Sequence, residues 1–217
     1  MFGPFHRFTI VCQRRRALRV NFDVRRPSED VEESCVVSYS HWNPLVTAAA
    51  WMRLMMALRL WRQHARPGAV LDFGAGTGEI SHFLDSSQPY HFVEAADRLS
   101  DALGTFVPQA RREYLDNLPK SAFACIFALD SLEHNEDVPS IVEHLAKGMT
   151  ADGILIVSGP TENALYRLGR AIARFRDHFH KTTIYDIEIA LAQRFTRLEV
   201  RGVPFGLPLF RVSAWRL

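Results

Sequence analysis

The sequence predicts an α/β domain built on an open, doubly wound, mostly parallel sheet with helices on both faces, ending in an antiparallel β-hairpin. Three observations carry that expectation. From Gly68 onward, short apolar runs without polar alternation are separated by segments of helical spacing, the pattern of strands buried on both faces. A glycine-rich run, Gly74-Ala75-Gly76-Thr77-Gly78, follows the first of these, where a parallel strand turns toward a helix. The last two apolar runs, Leu198 to Val203 and Leu209 to Leu217, are joined only by Pro204-Phe205-Gly206-Leu207-Pro208. Five residues cannot hold a crossover helix, so that pair must be antiparallel.

With 217 residues, 47% hydrophobic and 23% charged, the chain has material for one packed domain. The longest apolar stretch, Pro44 to Trp61, is interrupted by Arg53 and Arg59, so it falls short of the roughly 20 uncharged residues that span a bilayer. Cys12, Cys35 and Cys125 show no Cys-x-x-Cys spacing, which argues for a reducing, cytoplasmic compartment and against a metal site.

Charge is uneven along the chain. The first 26 residues hold Arg7, Arg14, Arg15, Arg16, Arg19, Arg25 and Arg26 against Asp23 alone, and the acidic Glu29, Asp30, Glu32 and Glu33 follow. Residues 1–36 are therefore expected as a flexible, basic then acidic extension, with organised structure starting near Val37. A transit peptide is an alternative reading of the same arginines. Contact with a membrane surface stays open, and the arginines are the only feature in favour of nucleic acid.

Within the single domain, 37–217, the elements follow in order. Residues 37–66 form a helical cap whose main helix runs from about Pro44 to Arg62. Strands are expected at Ala69 to Phe73, His91 to Ala95, more weakly near Glu113 to Leu115, and at Cys125 to Leu129 and Gly153 to Ser158. Between the last two, Val138, Ile141, Val142 and Leu145 have helical spacing, with Pro139 at the start and Gly148 just past the end. Residues 160–183 read as an insertion covering a substrate; its helix, Asn163 to Phe175, puts Arg167, Arg170 and Arg174 on one face, solvated or anion-binding.

The glycine loop admits a ligand close to the backbone, and amides at the following helix start point into the same space. Its Gly-x-Gly-x-Gly spacing differs from the dinucleotide fingerprint. Asp72, two residues before the first glycine, suits an ammonium group better than a pyrophosphate.

From Val70-Leu71-Asp72-Phe73-Gly74-Ala75-Gly76-Thr77-Gly78 onward, the sequence resembles the class I S-adenosylmethionine-dependent methyltransferases. The resemblance continues through Ala128-Leu129-Asp130-Ser131-Leu132-Glu133-His134, the Leu-Glu-His signature of a branch acting mainly on small molecules and lipids, and through Met149 to Val157. It implies a Rossmann-like, seven-stranded sheet and S-adenosylmethionine as cofactor, leaving S-adenosylhomocysteine as product. It further implies that Phe73, Gly74, Ala75 and Gly76 run beneath the cofactor, with Asp72 near its amino-acid end. An acid ending the second strand should accept both ribose hydroxyls; Asp97 and Glu94 are the candidates, and Asp97 is preferred because Leu99 to Leu103 follow it in helical register. Asp116, Asn117 and Leu118 resemble the adenine-reading loop, although Tyr114 stands where the family's acid usually lies. Asp130 and Ser131 close the site at the end of the fourth strand.

A hydroxyl acceptor must lose a proton, and histidine suits a general base near neutrality. His134, His178 and His180 are the candidates. The expected reaction is methyl transfer to a small-molecule, lipid or glycan-type acceptor, on oxygen. Alternatives are RNA or protein methylation and a noncatalytic scaffold. Against nucleic acid, the residues after the fourth strand read Asp130-Ser131-Leu132-Glu133 and lack an Asn-Pro-Pro-Tyr or Asp-Pro-Pro-Tyr tetrapeptide.

Overall fold

A computed structural model describes residues 3–163, 166, 182–204 and 209–217. Helices α1 (Pro4–Asn21), α2 (Glu29–Glu33), α3 (Val36–Ser40) and α4 (Pro44–His64) precede a seven-stranded sheet. Its strands are β1 (Ala69–Phe73), β2 (Tyr90–Val93), β3 (Arg111–Arg112), β4 (Phe123–Leu129), β5 (Met149–Pro160), β6 (Thr196–Val203) and β7 (Phe210–Arg216). They lie in the order β3-β2-β1-β4-β5-β7-β6. Strands β1 to β5 are mutually parallel, and β7 runs antiparallel to both β5 and β6, as the short terminal connection requires. Three further helices are α5 (Asp97–Phe106), α6 (Val138–Gly148) and α7 (Ile184–Ala192).

Both faces of the sheet are covered, which is why its strands read as continuous apolar runs. Cys125 and Phe127 of β4 pack with Leu54 and Leu58 of α4 on one face, while Ile126 and Ala128 pack with Ile141 and Leu145 of α6 on the other. The helix starts are capped locally. Asn43 accepts from the Leu45 N–H at 2.9 Å with Pro44 in the first turn, Asp137 accepts from Ser140, and Thr183 with Asp186 closes a capping box on α7.

The largest departure from expectation lies at the N-terminus, where ordered structure begins at Pro4 and not near Val37. Within the expected extension α1 is helical, and its inner face is part of the core: Leu18 is fully buried, and Phe22 just beyond the helix packs beside it. Arg14 forms a two-pronged ion pair with Glu79, at 2.8 and 3.1 Å, and lies over the Phe106 ring. Arginine was legible only as charge, whereas here its aliphatic stem and planar head also fill space.

Smaller corrections follow from hydrogen bonds. Strand β2 stops at Val93 because the Glu94 carboxylate accepts from the Ala96 N–H and turns the chain into α5. The edge strand β3 is Arg111–Arg112, two residues before the expected segment, with the Glu113 N–H still donating to Phe92. The helix that the glycine loop opens is a short 3-10 helix, Glu79–Phe83. Residues 205–208 and most of the expected insertion, with Arg167, Arg170, Arg174, His178 and His180, lie outside the described residues.

Candidate functional site

A cavity of about 480 Å³ opens at the carboxyl ends of β1, β2 and β4, the edge where open α/β sheets bind ligands. The glycine loop forms its floor. Gly74 has φ 68° and a Cβ there would stand 2.3 Å from that of Ser131, so two chain segments meet at a spacing that only glycine allows. Gly76 has φ 56° and faces open space, leaving its backbone bare toward the cavity. The loop is tied down at its far end, where Thr77 donates to Glu79 and Glu79 accepts from Arg14 of α1.

Asp72, one residue before the end of β1, is almost fully buried and accepts from the Tyr90 hydroxyl at 2.6 Å. Burial pushes its carboxyl up to about 7; the Tyr90 hydrogen bond pulls the other way and the Glu94 charge adds to the rise. Glu94 stands in the cavity wall and accepts from the Gly76 N–H at 2.7 Å. Asp97, the preferred acid in the sequence, is absent from that wall: its side chain is 84% exposed and pairs with Arg112 at 2.9 Å. As the first residue of α5 it points to solvent. Of the residues expected to read adenine, none lines the cavity: Asp116 and Asn117 are exposed and Leu118 packs against the core beneath α6, while Leu115 just before them stands in the wall.

At the opposite end lie Asp130, Ser131 and His134. Asp130 adopts φ 49° and its carboxylate accepts from Arg53 and, at 2.8 Å, from Ser158. Arg53 is 1% exposed and reaches from the middle of α4 to Cys35, to the Tyr39 hydroxyl and over the Phe210 ring. The arginine read from the sequence only as an interruption of an apolar stretch thus joins the helical cap to the end of β4. Its place inside an apolar helical run, which it interrupts together with Arg59, was the one available signal.

Burial pushes the Cys35 thiol up to about 12, so this cysteine is a protonated wall group and no nucleophile. Glu133 is fully buried and its carboxyl is raised well above the usual range, by burial first and then by the Asp130 charge. Ser131 Oγ is buried without a hydrogen-bond partner among the described residues, a polar atom left for a ligand. Among the described residues no group of three His, Cys, Asp or Glu could hold a metal ion.

A family model described as a methyltransferase domain matches residues 47–200. No curated protein matches the sequence. Among solved structures, the N-methyltransferase NodS from Bradyrhizobium japonicum WM9, in complex with S-adenosyl-L-homocysteine, superposes with a TM-score of 0.66 at 13% identity, covering 94% of this chain and 97% of that one. Protein PH0226 from Pyrococcus horikoshii OT3 gives 0.64 at 16% identity, covering 78% and 91%. Magnesium protoporphyrin IX methyltransferase (ChlM) from Synechocystis PCC 6803 with bound SAH gives 0.60 at 16%, covering 81% and 88%. At these identities the shared property is the fold.

Proposed function

Since the chain belongs to the methyltransferase-domain family, we propose that it transfers a methyl group from S-adenosylmethionine to the oxygen of a small-molecule, lipid or glycan-type acceptor. The observation that carries this reading is a cavity with a bare glycine backbone on its floor, Glu94 at one end, and Asp130, Ser131 and His134 at the other. The open space at Gly76 and the unsatisfied Ser131 hydroxyl fit a polar ligand of that length.

The bound cofactor supplies an electrophilic methyl on a sulfonium, whose charge vanishes as the methyl leaves. The enzyme then has mainly to align the acceptor and exclude water. Asp72, once ionised, offers a counter-charge to the cofactor's ammonium group. Glu94, whose carboxylate also accepts from the Gly76 and Ala96 amides, would hold the ribose hydroxyls, in the role the sequence assigned preferentially to Asp97. Leu115 would give the adenine an apolar wall. At the reacting end the Asp130 carboxylate is already engaged by Arg53 and Ser158, which leaves His134 to take the proton of an acceptor hydroxyl.

The test is calorimetric titration with S-adenosylmethionine and S-adenosylhomocysteine, followed by a screen of hydroxylated metabolites and lipids with labelled methyl donor. Micromolar binding of both, with His134→Ala keeping S-adenosylhomocysteine affinity and losing transfer, supports the reading. A folded protein that binds neither would overturn it.

A further inference from the structure

The outer face of α1 carries a surface that methyl transfer does not use. Phe5, Phe8, Cys12, Arg16, Arg19 and Val20 recur at three- and four-residue spacing, so they share one face, and all are exposed. Phe5 is 89% exposed and Phe8 70%. The helix contains five arginines and no acid.

This face continues onto the chain that follows. Arg15 and Arg19 donate to the His41 carbonyl, which fixes exposed Trp42 beside the C-terminal half of α1. Val20 and Trp42 then line one groove together with Arg25 and Arg26. Asp23 and Glu32 also line that groove, but the Asp23 carboxylate is turned toward the Arg25 and Arg26 amides. Phe5, Phe8, Val20 and Trp42 thus lie exposed along one helical layer, interleaved with cations and, on α1 itself, with no acid.

We propose that this face docks on an anionic lipid bilayer, with Phe5, Phe8, Val20 and Trp42 entering the interface and Arg16, Arg25 and Arg26 meeting lipid phosphates. Aromatic and aliphatic groups beside arginine suit the headgroup boundary, where each partner finds its own layer. Among the described residues no helix is long and apolar enough to cross a membrane, so the contact is peripheral. Charge complementarity selects the partner: a second copy would bring the same cations against each other, and a nucleic-acid duplex, whose bases are stacked inside, would leave Phe5, Phe8 and Val20 without an apolar counterpart. The inference stands independently of the methyl-transfer reading.

The test is co-sedimentation of the full chain with vesicles of phosphatidylcholine alone or with added phosphatidylglycerol. The expected result is binding to the anionic vesicles only, weakened by salt. Phe5→Ser with Phe8→Ser, and separately Arg16→Glu, should each lower the partition coefficient about tenfold or more, with an unchanged melting temperature as the sign of an intact fold. No vesicle binding at low salt overturns the proposal, as does binding that these variants leave untouched. Tighter binding to an RNA or DNA oligonucleotide than to vesicles overturns it in favour of nucleic acid. A dimer that Phe5→Ser with Phe8→Ser dissociates overturns it in favour of a second copy.

Discussion

Arg53 in α4 and Asp130 at the end of β4 form an ion pair that is buried on both sides, 2% and 11% exposed in their side chains, and separated by 77 positions in the chain. Removing one partner strands the other charge. Arg53→Met is therefore expected to destabilise the fold by about 3–5 kcal/mol, while Arg53→Met with Asp130→Asn recovers much of the loss. Urea unfolding of the two variants checks this, and a double variant no better than the single one would show that the two residues do not act as a pair.

Glu94→Ala should weaken S-adenosylhomocysteine binding at least tenfold, about 1.4 kcal/mol. Asp97→Ala should leave it nearly unchanged, because the Asp97 side chain lies in solvent against Arg112. Calorimetry decides between them, and the reverse order would restore Asp97 as the ribose acid.

Two of the loop glycines, Gly74 and Gly76, are expected to separate stability from binding. Gly74→Ala meets both a left-handed backbone and the Ser131 side chain, so it should lower the melting temperature and abolish cofactor binding. Gly76→Ala has open space before it, and the backbone strain alone costs about 1–2 kcal/mol. Its methyl projects toward the cavity, so cofactor affinity should fall far more than stability does.

Asp72 makes stability depend on pH in the opposite sense to a salt-bridged acid. Its folded pKa is about 7, whereas an unfolded aspartate titrates near ~3.9. Between those values the folded state holds a proton that the unfolded chain has released, so stability falls as pH rises from about 4 to about 7 and is level above. Unfolding free energies of the wild type and Asp72→Asn across that window should diverge accordingly. Affinity for S-adenosylhomocysteine should rise through pH 7 as the carboxylate forms, and Asp72→Asn should remove that rise.

Much of the fold is legible because burial on both faces turns each central strand into a short apolar run. Strand β1 is found at Ala69–Phe73 as expected, and the five-residue terminal connection dictated the antiparallel pair. Cavity-lining residues were legible where they lie on or beside the glycine loop. Distance along the chain could not separate Glu94 from Asp97, because the choice depends on where β2 stops, and that is set by hydrogen bonds from Ala96 and Gly76 to one carboxylate.

By itself, then, the sequence determined the sheet, the glycine loop and the edge at which the cavity opens, since each follows from residues adjacent in the chain. Only tertiary structure decided that α1 is built into the domain and that α4 reaches the end of β4. Arg14 meets Glu79 across 65 positions and Arg53 meets Asp130 across 77. A charged residue read alone is solvated by default, and it becomes structural only when folding brings its counter-charge within reach and removes water from both.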